Sequence, residues 1–86
     1  MKLFYQDRSK IYEAENLSVV KHDYPEDHKE GERLIRNGRW ISGYDGDEFT
    51  YDFAGTYGSN ERAFEVLEEC VTALERGDAV YRMPKE

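Results

Sequence analysis

Arg33-Leu34-Ile35-Arg36-Asn37-Gly38-Arg39-Trp40-Ile41-Ser42 is the stretch on which the fold turns. Both central residues of a type I′ turn need φ > 0, which Asn and Gly tolerate. Asn37-Gly38 between two apolar-rich tetrads therefore predicts a tight hairpin with Arg36 and Arg39 as its closing residues. A second turn, Asp45-Gly46, precedes Phe49-Thr50-Tyr51-Asp52-Phe53. There the alternation places Phe49, Tyr51 and Phe53 on one face of a strand and Thr50 and Asp52 on the other. Together these segments predict an antiparallel meander.

Upstream, residues 2–6 read as a first strand and Asp7-Arg8-Ser9 as a turn. Residues 10–14 and 17–21 are two short strands rich in β-branched and aromatic residues. Residues 22–31 are polar and punctuated by Pro25 and Gly31, which predicts a loop. Downstream, residues 60–76 predict a helix. Ser59 or Asn60 can cap it, Glu61 suits its positive first turn, and Gly77 supplies a left-handed stop. Ala63, Val66, Leu67, Cys70, Val71 and Leu74 form an apolar stripe at helical spacing, with Phe64 at its margin. Residues 79–83 are a last short strand, ended by Pro84. The expected fold is α+β, a four- to six-stranded, mostly antiparallel sheet with one C-terminal helix packed on one face and a short strand after it.

The 86 residues suffice for one domain, 1–86. Hydrophobic residues make up 38% and charged residues 36%, so the core must be small and lean on the 14% of aromatics. No apolar run reaches the roughly 18–20 residues of a membrane span and no secretory signal opens the chain. One cysteine excludes an internal disulfide and a Cys-cluster zinc site. A domain of the cytoplasm is expected.

The net charge of −7 is unevenly placed. Residues 1–43 hold eight acids and eight bases, whereas residues 44–86 hold eleven acids against Arg62, Arg76, Arg82 and Lys85. This asymmetry disfavours nucleic acid as a direct ligand, because neutralising phosphates takes a basic patch. A protein with a basic surface is the natural complement.

Catalytic and metal patterns are weak. His22 and His28 with Asp23, Glu26, Asp27 and Glu30 lack the spacing of a zinc site and fall in the expected loop. Asp45, Asp47, Glu48 and Asp52 read as a turn and its strand rather than a calcium loop. Arg76-Gly77-Asp78 spells an adhesion tripeptide, but Gly77 is explained as a helix stop. Cys70 sits within the apolar stripe, where a thiol is a small buried hydrophobe. No serine elbow or phosphate loop occurs. Neither enzyme activity, nor a cofactor, nor a metal is expected.

Two candidate surfaces remain. Glu61, Glu65, Glu68 and Glu75 form a row along the polar helix face about 21 Å long. The spacings within it are comparable with the roughly 7 Å between phosphates of one strand. Asp45, Asp47, Glu48 and Asp52 would extend the row. The second candidate is Arg36, Arg39, Trp40 and Tyr44, which would hold a small anion or nucleotide by bidentate bonds and stacking. Its plain alternative is a charged hairpin with Trp40 packed inward.

The run Asn60-Glu61-Arg62-Ala63-Phe64-Glu65-Val66-Leu67-Glu68-Glu69 is entered from a strand ending near Gly55-Thr56-Tyr57. With Val80-Tyr81-Arg82-Met83-Pro84 and the leading Gln6-Asp7, it resembles small uncharacterised phage and prophage accessory proteins. The likeness covers residues 1–7 and about 55–84 and implies a mobile-element setting in a bacterial host cell, without assigned catalytic residues. With the acidic second half, it leads to the expectation of an inhibitor of a host defence machine. Such an anti-CRISPR-like protein would occupy a basic nucleic-acid groove, as a DNA mimic does. The alternatives are a protein that sequesters a nucleotide signal and a phage assembly component.

Overall fold

The computed structural model describes residues 1–21, 31–43 and 45–86. The chain order is β1 (Lys2–Phe4), β2 (Ile11–Glu13), β3 (Asn16–Lys21), β4 (Arg33–Gly43), β5 (Gly46–Tyr57), α1 (Asn60–Arg76) and β6 (Val80–Arg82). The fold is α+β, and the six strands divide into two three-stranded sheets, ordered β2-β1-β6 and β3-β4-β5. All pairings are antiparallel except β1 with β6, which run parallel.

The Asn37-Gly38 hairpin does not form. β4 runs unbroken through both residues, pairing Asn37 with Leu17 and Asp52 and Gly38 with Asn16 and Tyr51. The reversal comes at the second turn, where Gly43 pairs with Gly46 and Gly46 takes φ 119°. Two tertiary facts override the turn propensity of Asn-Gly. Asn37 is fully buried and hydrogen-bonds to groups from the first sheet and the β2–β3 link. Gly38 lies under the Phe49 ring, whose Cζ would stand 2.3 Å from a Cβ added there.

A β-bulge then sorts the long β5 strand. Ile35 pairs with Gly55 and Arg36 with Phe53, so Ala54 is the extra residue. Without it, period-two alternation would turn Phe49, Tyr51, Phe53 and Tyr57 to one side. With it, Tyr57 enters the core while the other three aromatics face outward. The carbonyl of Ala54 accepts the Gln6 N–H at 2.9 Å, which ties β5 to the end of β1.

The helix begins and ends as its termini dictate. Ser59 accepts the Arg62 N–H at 3.1 Å. Gly77, at φ 81°, donates to Leu74, and Asp78 donates to Ala73, closing a Schellman motif. Its buried face is narrower than the expected stripe. Ala63, Val66, Cys70 and Ala73 are buried, Leu67 is half-buried, and Phe64, Val71 and Leu74 are exposed. The sheet takes up only one edge of the apolar stripe. Leu3, Tyr5, Ile35, Ala54, Tyr57, Met83 and the helix residues Ala63, Val66 and Cys70 form one core cluster, with Leu17 and Val19 packed against it.

Candidate functional site

The inner face of the β4–β5 ribbon carries a buried polar seam. The Asn37 amide donates to the Glu13 carbonyl at 2.9 Å and to Tyr5 Oη at 3.2 Å, and it accepts the Glu15 N–H at 3.2 Å. Tyr5 Oη in turn donates to Asp52, which also faces Lys10 Nζ at 3.7 Å. Burial and the Asp52 carboxylate push the Tyr5 hydroxyl well above its ordinary value. Asp52 therefore belongs to the joint between the two sheets and not to an acidic surface, correcting the expectation from sequence. Arg39 lies on this same side, its guanidinium 3.8 Å from the Tyr12 ring centroid.

Arg36 and Trp40 occupy the opposite face. Arg36 stacks over Tyr51 at 4.8 Å, and Trp40 meets Phe49 edge to face at 5.0 Å. The proposed ligand set is thus split, with Arg39 on one face of β4 and Arg36 and Trp40 on the other, and Tyr44 lies outside the described residues. Residues on opposite faces of one strand cannot converge on one small anion. Trp40 is not packed inward either: it is 59% exposed, with Phe49, Tyr51 and Phe53 also exposed beside it.

The helix acids divide as well. Glu61, Glu65, Glu68 and Glu75 are all exposed. Glu65, however, is paired with Arg62, which also reaches Glu69 at 3.9 Å and Glu86 at 2.9 Å. Among the described residues, Glu61, Glu68 and Glu75 have no ion-pair partner. These three stand seven residues apart, about 10.5 Å of rise, which is wider than the roughly 7 Å phosphate interval. The spacing argument for DNA mimicry loses its support. Asp45, Asp47 and Glu48 are exposed at the far end of the ribbon, whereas the helix shares its core with the Ala54–Tyr57 end. The expected continuous acidic surface is thus two separate patches.

What accompanies the helix acids was missed in the sequence. Glu61, Phe64, Glu68, Val71 and Glu75 follow one another at alternating steps of three and four, so acid and apolar side chains share one seam. Beside it lies an apolar groove of about 280 Å³ lined by Met1, Ala14, Glu15, Leu17, Leu67, Cys70, Val71 and Leu74. The signal was present as an apolar stripe too wide for one sheet to cover.

A more polar cleft of about 600 Å³ is lined by Gln6, Glu32, Thr56, Tyr57, Gly58, Lys85 and Glu86. Its hydrogen-bonding groups are largely engaged already. The Gln6 amide pairs with both backbone groups of Thr56, Tyr57 Oη donates to the Pro84 carbonyl, and Glu86 holds Arg62. Burial pushes the Cys70 thiol up, away from the thiolate a nucleophile needs. His22, Asp23, Glu26, Asp27, His28 and Glu30 lie outside the described residues. Among the described residues no cluster of His, Cys, Asp or Glu has the arrangement of a metal site. No helix among them is long and apolar enough to cross a membrane. No family model, curated protein or solved structure matches this chain.

Proposed function

We propose that this chain acts by binding, and that the exposed side of α1 docks a basic, amphipathic segment of a partner protein. The observation that carries this reading is the seam in which Glu61, Glu68 and Glu75 alternate with Phe64 and Val71 beside the Leu67–Leu74 groove. A helix-in-groove partner places apolar anchors in the groove and turns Lys or Arg toward the flanking carboxylates. A second copy of the same helix would bring acid rows together, so charge complementarity selects a basic partner.

In the phage setting implied by the sequence resemblance, that partner is a nucleic-acid-binding protein of host defence, whose basic surface this chain would occupy. The test is binding to a purified effector of that kind at low and high ionic strength. Affinity should fall with salt, because exposed charges are screened beyond about 8–10 Å at ordinary ionic strength. It should also fall when Glu61, Glu68 and Glu75 become Gln, and again in Leu74→Asp, while the melting temperature holds. Binding indifferent to salt and to all four substitutions would overturn the assignment of this surface.

A further inference from the structure

The outer face of the β4–β5 ribbon is a second surface, on the side of the sheet away from the helix. Arg36, Gly38, Trp40 and Ser42 of β4 share it with Phe53, Tyr51, Phe49 and Asp47 of β5, each directly opposite its partner. Trp40 is 59% exposed, Tyr51 55%, Phe49 44% and Phe53 38%. Such contiguous aromatic exposure marks an interaction face, because single scattered apolar residues are normal but a row of four is not.

The charges at the two ends of the row name its occupant. Arg36 stacks on Tyr51 but has no carboxylate partner among the described residues, and Asp47 accepts only the Ser42 hydroxyl, at 2.9 Å. Among the described residues, an unpaired cation thus sits at one end and unpaired acids, Asp47 with Asp45 beside it, at the other, with the aromatics between. We propose that this face binds a second copy of the chain, face to face across a two-fold axis. An axis lying between the faces, perpendicular to the strands and level with residue 39, reverses the strand direction. It sets Arg36 of each copy against the Ser42–Asp47 end of the other, as a self-complementary interface requires.

The two ends are six residues apart, about 20 Å, and sheets stacked face to face lie about 10 Å apart, within reach of an arginine side chain. The four aromatics offer about 400 Å² per copy, so the dimer approaches the roughly 1,000–1,200 Å² lower bound of specific interfaces once its rim is included. A dimer of micromolar affinity is the expectation. A single-stranded nucleic acid also stacks on aromatic sheet faces, but it needs a basic groove, and Asp45, Asp47 and Glu48 crowd this end.

Trp40 is the only tryptophan, so its fluorescence reports this face alone. Sedimentation equilibrium should show dimers that dissociate on dilution, with Trp40 emission moving to the red over the same range. Tyr51→Ser should weaken association at least tenfold. Arg36→Glu and Asp47→Arg should each do likewise, and the double variant should restore it, which no effect on folding alone would produce. A monomer at every concentration, or a double variant no tighter than either single one, overturns the proposal. So does quenching of Trp40 by oligo(dT) in a protein that stays monomeric.

Discussion

The two faces of the β4–β5 ribbon invert the usual arrangement. Inward, the Asn37 amide and the Tyr5 phenol are buried and the Asp52 carboxylate is half-buried; outward, Trp40, Phe49, Tyr51 and Phe53 meet water. The Asn37, Tyr5 and Asp52 groups are tolerated because each finds its partner, since a buried polar group is costly when left unpaired. On the same side Arg39 Nε is buried without a hydrogen bond and only stacks on Tyr12. The outer aromatics are tolerated because strand pairing, not burial, holds them in place, which leaves them available to another molecule. Polarity therefore does not tell which face of this ribbon is structural; partnering does.

The sharpest way to break that contrast is Asn37→Ala. It removes the partner of the part-buried Glu13 carbonyl and Glu15 N–H and should cost about 2 kcal/mol, from the low end of about 1–3 kcal/mol for each unsatisfied group. For a domain of this size that is a large share of a stability of roughly 4–13 kcal/mol. Urea denaturation measures it. A loss under about 1 kcal/mol would mean that the seam is not what joins the sheets.

Gly38→Ala probes the outer face, where the Phe49 ring lies over the glycine. The added methyl must displace the Phe49 ring, and we expect a loss of about 1 kcal/mol. In a Phe49→Ala background the same change should become neutral or stabilising by up to about 1 kcal/mol, because Gly in a strand is entropically unfavourable. Additivity of the two substitutions would deny the contact.

On the outer face, Trp40→Ser should change the stability of the isolated monomer by no more than about 0.5 kcal/mol, as surface substitutions do. Thermal melts at high dilution would show it. A larger loss would make the face structural after all.

The smallest effect is electrostatic and lies off the ribbon. The amino group of Met1 hydrogen-bonds Glu13 at 2.9 Å and holds its carboxyl below the ordinary 4.5. A depressed carboxylate contributes stability above its unfolded value and loses it as the pH falls through the folded one. Acetylating the amino terminus should therefore remove that small contribution at neutral pH and so flatten the acid limb of stability below about pH 4.5. An acid limb of unchanged slope would assign it to other carboxylates, such as Asp7, held low by the Ser9 hydroxyl and N–H.

What was legible in the sequence was local. Ser59, Glu61 and Gly77 mark the helix because a cap is decided within a few residues, and Asp45-Gly46 marks a real reversal for the same reason. That Phe49, Tyr51 and Phe53 share one face followed from alternation, but not that this face looks outward. Asn37-Gly38 misled because its conformation is decided at a distance. Asn37 answers to groups from residues 5, 13 and 15, and Gly38 to the ring of Phe49. The acid row was legible as a row, but its division was not, since Arg62 also engages Glu86, twenty-four positions away. The width of the helix stripe was visible, whereas the edge that the sheet would cover depends on the placement of β3 and β4.

Gln6 behaves as a peptide group in the wrong place. Its side chain donates to the Thr56 carbonyl at 3.0 Å and to the Pro84 carbonyl at 3.2 Å, and accepts the Thr56 N–H at 2.7 Å. One side chain thus latches the start of the chain, the end of β5 and the carboxyl-terminal segment together. Hydrogen exchange should register this as a single cooperative unit: the amides of Gln6, Thr56 and Met83 open with one common free energy. Gln6→Ala should uncouple them, so that Thr56, whose N–H loses its acceptor, exchanges ahead of Met83, whose N–H keeps the Phe4 carbonyl.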